Sequence, residues 1–139
     1  MFNAMKIDPK VTDQLILKPG APIALLREIE RTLGVSFPAQ YVEFMTGSNG
    51  AEGFAGPNSY LMLWPVEEIA SLNETYEVHR FAPGLTLFAS DGGGTAYAFD
   101  TRSRTMPIVA VPFVGMNLKE VKTCGHTFVE FLEYLYDQD

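Results

Sequence analysis

Cysteine occurs once, at Cys124, so no intrachain disulfide can brace this fold. Histidine is almost as scarce, with only His79 and His126. A zinc site asks for four ligands, or three and a water, and Cys124-Gly125-His126 has no second paired motif to complete one. The same trio makes a poor nucleophile–base pair, because neighbours two apart rarely aim at each other, and nothing in the sequence brings His79 to Cys124. No metal and no cofactor are expected. Basic residues are also few, 10 against 17 acids, for a formal charge of −7. They never cluster more closely than Arg102-Ser103-Arg104, which argues against direct nucleic-acid binding through phosphates. No apolar run approaches the roughly 18 residues of a membrane span. The opening MFNAMKID has neither a basic stretch nor an apolar one, so no secretory signal is expected. The expected location is the cytoplasm, where a lone thiol stays reduced.

What is present is an ordinary globular composition: 47% apolar and 19% charged residues in 139. That length fits one domain over 1–139, with 1–20 as an N-terminal extension. Helical periodicity with a leading proline predicts helices over Pro22–Leu33, from Pro38 to Gly47, and from Pro65 through Val66, Ile69 and Leu72/Asn73. Gly34 is placed as a helix terminus, and Arg27, Glu28, Glu30 and Arg31 as a solvated face. The stretch 51–59, AEGFAGPNS, reads as a Gly/Pro-rich loop leading into a strand at Tyr60–Trp64. Strand-like runs follow at 85–90, 95–100 and 106–114. A final helix carries Phe128, Phe131/Leu132 and Leu135 on one face, and Thr127 with Glu130 matches a capping box. The order α-α-β-α-β-β-β-α defines an α+β fold, with helices packed on a single, mainly antiparallel sheet. Tyr60, Trp64, Tyr97, Phe99 and Phe113 are expected mostly in its core.

Catalytic patterns fail one by one. No G-x-S-x-G elbow is present, and Gly47-Ser48-Asn49-Gly50 follows no clear strand. The run ASDGGGTAYAFD, residues 89–100, lacks the lysine of a phosphate loop. Tyr97 stands where a dinucleotide fingerprint needs its third glycine. Strand–turn–strand is the direct reading, with Asp91 capping the turn and the glycines supplying positive φ. The acids Glu52, Glu67, Glu68, Asp91 and Asp100 could be paired for hydrolysis on paper, but among 17 acids such pairs arise freely. Glu67 and Glu68 have a simpler role in the first turn of a helix, at the positive end of its dipole. A non-enzymatic protein is expected.

The ordered set Leu33-Gly34, Phe37-Pro38, Tyr41, Phe44, Asn49-Gly50, Asp91-Gly92, Gly94, Tyr97, Phe99-Asp100, Phe128 and Phe131-Leu132 resembles the SUKH superfamily, also called the Smi-one/Knr-four-like family. The resemblance runs from about Ile23 to Leu135. Phe37 replaces a frequent leucine, and the glycine run is one longer than in many members. The resemblance implies the α+β fold just described and no catalytic residues. Its bacterial members are similar to immunity proteins that bind and neutralise a cognate polymorphic or contact-dependent toxin. Its eukaryotic members resemble regulatory adaptors.

The leading expectation is therefore a bacterial immunity-type protein whose partner is a toxin domain with a basic surface, such as a nuclease. The alternative is a regulatory adaptor or ligand-binding module with no toxin partner. A third, a small hydrolase using Glu67/Glu68 or Cys124, would need a deep cleft with converging carboxylates. The expected partner surface combines the 51–59 loop, the start of the Pro65 helix and the 91–94 turn. Its residues are Glu52, Asn58, Tyr60, Glu67, Glu68 and Asp91.

Overall fold

Seven strands follow one another across a single antiparallel sheet in chain order, a pure meander. The computed structural model describes residues 7–139. The first six, most of the stretch read above for a secretory signal, lie outside the described residues. The elements are α1 (Pro9–Thr12), β1 (Leu15–Leu17), α2 (Ile23–Leu33), α3 (Ala39–Gly47), β2 (Ala51–Phe54), β3 (Tyr60–Leu63), α4 (Val66–Thr75), α5 (Val78–Phe81), β4 (Leu85–Ser90), β5 (Thr95–Asp100), β6 (Ile108–Pro112), β7 (Lys122–Gly125) and α6 (Phe128–Tyr136). The α+β class and the expected succession stand. The strands β1, β2 and β7 and the short helices α1 and α5 are additions to it.

Each proline-led helix starts one residue later than expected. Pro22, Pro38 and Pro65 sit at the N-cap with ψ near 141–143°, and none offers a side-chain cap. Proline suits that place because its missing N–H would have no helical partner. For α4 the missing cap comes from 17 residues upstream, where Asn49 Oδ1 accepts the Val66 N–H at 2.8 Å. Glu30 also departs from expectation. It folds back from α2 to accept the Phe37 N–H at 2.6 Å and Arg27 Nη1 at 2.8 Å, which ties α2 to the segment entering α3.

The central strands are buried on both faces. One face buries Phe88, Phe99 and Tyr97 under Leu26 of α2, Tyr41 and Phe44 of α3, and Phe128, Phe131 and Leu135 of α6. The other buries Leu87, Ala96, Ala98, Val109 and Val111 under Trp64, Val78, Ala82 and Met116. That explains why β4 has no exposed residue despite its mixed composition. A register shift between Leu87 and Ala89 bulges β4, and Asn73 of α4 satisfies the backbone left beside it. Its side chain accepts the Leu87 N–H at 2.8 Å and donates to the Leu87 carbonyl at 2.9 Å. Residues 9–17 are part of this architecture, with Val11 and Leu15 in the core and β1 paired to β2.

In α6 the capping box forms with one change. Thr127 Oγ1 accepts the Glu130 N–H at 3.1 Å, while the Glu130 carboxylate reaches the His126 N–H instead of that of Thr127.

Candidate functional site

The glycine run is a hairpin turn, and one glycine carries its geometry. Asp91 Oδ1 accepts the Gly93 N–H at 2.8 Å and the Thr95 N–H at 3.1 Å, so the aspartate side chain closes the turn from within. Gly92 alone among the three has positive φ, 80°. The expectation that the glycines collectively supply positive φ is thus corrected to this one position. A Cβ on Gly92 would also come within 3.0 Å of the Tyr60 ring, whereas one on Gly94 would meet nothing within 4 Å.

That proximity joins two of the expected surface segments. Strand β3 holds Tyr60 opposite Phe54, and their rings meet edge to face at 5.3 Å. The Tyr60 hydroxyl donates to Glu52 Oε2 at 2.6 Å, and this carboxylate holds the phenol pKa above its usual value. Glu52 lies in β2, so the stretch read as a loop is a strand over 51–54 and a loop only from 55 to 59. Beyond it, Asn58 donates to the Gln138 carbonyl at 3.3 Å, and the Ser59 hydroxyl donates to the Leu135 carbonyl. Gln138 in turn donates to the Tyr134 carbonyl at 2.9 Å. The 55–59 loop is thereby fastened to the end of α6.

Glu67 and Glu68 do not join this group. Ala51 pairs with Leu63 at the opposite end of the β2–β3 hairpin from Phe54 and Tyr60, and α4 starts from that far end. Glu67 accepts the Asn49 side-chain amide at 2.6 Å, a bond that steadies the residue capping the helix. Glu68 is exposed. Glu52, Asn58, Tyr60 and Asp91 therefore form one neighbourhood and the two glutamates of α4 another.

A cavity of about 470 Å³ opens between the 54–60 segment, the ends of β5–β7 and the last turns of α6. Asn58, Tyr60 and Asp91 line it together with Tyr97, Lys122 and Tyr134. The Tyr97 ring packs edge to face on Phe131 at 5.0 Å. Burial, then the nearby Asp91 charge, raises its phenol pKa. Cys124 also lines it, its thiol donates to the Lys122 carbonyl at 3.5 Å, and burial raises the thiol pKa against the lowering influence of Tyr134 and the Lys122 charge. A thiol held protonated in this way is a poor nucleophile. His79 lines a different cavity, with Asn73, Glu74 and Thr86, so the two halves of a Cys–His pair are apart. Among the described residues, no group of three or more His, Cys, Asp or Glu could hold a metal ion, and no helix is long and apolar enough to cross a membrane.

Sequence reasoning missed Phe54, Lys122 and Tyr134. Tyr134 left a trace, standing off the buried Phe128/Phe131/Leu135 stripe and so marking an aromatic free to line something else. Phe54, in a Gly-rich stretch, and Lys122, in an unrecognised strand, left none.

A meander sheet covered by helices, with hydrogen-bonding side chains gathered at one end of it, defines an α+β domain. The chain belongs to the SMI1/KNR4 family (SUKH-1), whose family model matches residues 20–134. No curated protein matches it. The match begins after α1 and β1, so the strand at that edge of the sheet precedes the matched region.

Proposed function

We propose that this chain is a non-enzymatic, immunity-type protein of the bacterial cytoplasm that binds a cognate toxin domain and neutralises it by occlusion. The supporting observation is the joining of Glu52, Tyr60 and Asp91 on one open neighbourhood of a SUKH-1 domain with net charge −7. Carboxylates beside aromatic rings suit a basic protein face, because they attract it at long range and offer flat apolar area on contact. The negative field speeds encounter in proportion to the partner's positive charge and weakens with salt. A nuclease, whose substrate surface must be basic, is the partner class this chemistry fits best.

The test is coexpression with the product of the neighbouring gene. Neutralised toxicity and a one-to-one complex are expected, with Glu52→Gln/Asp91→Asn slowing association at low salt. Persistent toxicity with no complex recovered would replace this reading with that of a regulatory adaptor.

A further inference from the structure

The cavity beside Asp91 has features that surface contact alone does not require. Tyr97 is only 7% exposed, yet its hydroxyl makes no hydrogen bond among the described residues, and the residue lines the cavity. The hydroxyl oxygen is not itself sealed from solvent, and an unbonded hydroxyl on a residue that lines a cavity is a ready contact for a ligand. Asp91 lies close enough to raise the phenol pKa, and only its Oδ1 is engaged by the turn. Oδ2 is left as a charged acceptor. Phe54, Tyr60 and Tyr97 supply flat aromatic lining. The walls are set in advance, since Asn58 and Ser59 tie the 55–59 loop to α6. A volume of about 470 Å³ falls within the roughly 300–1,000 Å³ of small-ligand pockets.

One cation already lines the cavity. Lys122 is exposed, and its Nζ lies 5.9 Å from the Tyr134 ring centroid. It stands in register with Ala110, which pairs with Tyr97, so two strand spacings, roughly 10 Å, separate the Lys122 and Tyr97 backbones. That ammonium is exposed and so screened by solvent and salt, whereas Asp91 is near enough to Tyr97 to act on its phenol.

We propose that this cavity is a socket for one arginine side chain of a protein partner, with the guanidinium donating to Asp91 Oδ2 and to the Tyr97 hydroxyl oxygen. Arginine fits better than lysine because its planar cation stacks on aromatic rings and presents several donors in a fixed fork. The inference rests on the reading of the chain as a binder of a basic protein, and it selects Asp91 and Tyr97 from that wider surface.

Two substitutions isolate the site. Asp91→Asn removes the charge but keeps an Oδ1 to accept the Gly93 and Thr95 N–H groups. Tyr97→Phe removes the hydroxyl and keeps the ring on Phe131. Amide chemical shifts can be followed by NMR while N-acetyl-arginine amide is titrated in, with the neutral citrulline analogue in parallel. Saturable shifts at residues 91–97 are expected with the arginine probe, at a Kd on the order of 1–10 mM. Binding should weaken at least fivefold with citrulline and in each variant. Equal responses to both probes, no saturable shift, or undiminished binding by Asp91→Asn would overturn the socket. If the toxin complex forms in full while the arginine probe fails, only the socket falls. If the probe binds as expected and no toxin complex exists, only the immunity reading falls.

Discussion

Replacing Tyr41 by phenylalanine should stabilise this protein. The Tyr41 ring lies at the centre of the larger core cluster, edge-on to Phe37 at 5.0 Å, Phe99 at 5.0 Å, Phe88 at 5.6 Å and Phe128 at 5.8 Å. Its side chain is fully buried, and among the described residues its hydroxyl is the one buried side-chain polar atom with no hydrogen-bond partner. Desolvating such a group without compensation costs about 1–3 kcal/mol by protein mutational data. Phenylalanine keeps all four ring contacts and leaves an oxygen-sized void, which costs only a few tenths of a kcal/mol at about 24 cal/mol per Å³. The balance favours Tyr41→Phe by about 1–2 kcal/mol, or roughly 3–5 °C in Tm per kcal/mol for a domain of this size. Urea unfolding should show a higher midpoint with an unchanged slope. A loss of 1 kcal/mol or more would refute the reasoning, because it would mean that the hydroxyl is satisfied inside the core.

Two further predictions concern the turns at either end of β5. Asp100 accepts hydrogen bonds from the Arg102 side chain at 2.8 and 2.9 Å, which with the backbone bond hold its carboxyl below the usual range. Its contribution is therefore fully present above the unfolded value near pH 4 and is lost as pH falls through the folded value. Urea midpoints should show Asp100→Asn destabilised at pH 7, and the gap from wild type should narrow below about pH 4. At the other turn, Gly92→Ala should cost about 1–2 kcal/mol through its left-handed backbone, while Gly94→Ala should change stability by less than about 1 kcal/mol. Equal losses in thermal unfolding would contradict the turn geometry.

The parts of the fold legible in the sequence are those whose own residues carry the period. Leu85–Ser90 and Thr95–Asp100 are strands at the bounds their pattern predicts, and Phe128, Phe131, Leu132 and Leu135 are all buried as their spacing requires. The edge of the sheet was not legible because its strands exist through their neighbours. LIL is too short for a pattern, and AEGF becomes a strand by pairing with β1 on one side and β3 on the other. Gly53 permits that approach, since a Cβ there would lie 2.5 Å from the Gln14 carbonyl oxygen. Glu30 was misread for a related reason: its acceptor role depends on where the chain places the Phe37 N–H seven residues later.

The candidate site divides along the same line. The sequence marked its acids, but a carboxylate's role depends on the donors that folding brings to it. Glu67 and Glu52 each accept a hydrogen bond of 2.6 Å, yet Asn49 makes the first a support for the start of α4, while Tyr60 places the second on the open neighbourhood beside Gly92. In the proposed complex, Glu67 and Glu68 would add to the negative field that draws in a basic partner, a contribution that acts on association rate and fades with salt. Asp91 is placed differently, because it lines a cavity beside the Tyr97 phenol and the turn engages only its Oδ1. Contacts made there would break only as the partner leaves and would therefore act on dissociation. In the proposed complex, Glu67 and Glu68 would thus govern how fast the partner arrives, and Asp91 how long it stays.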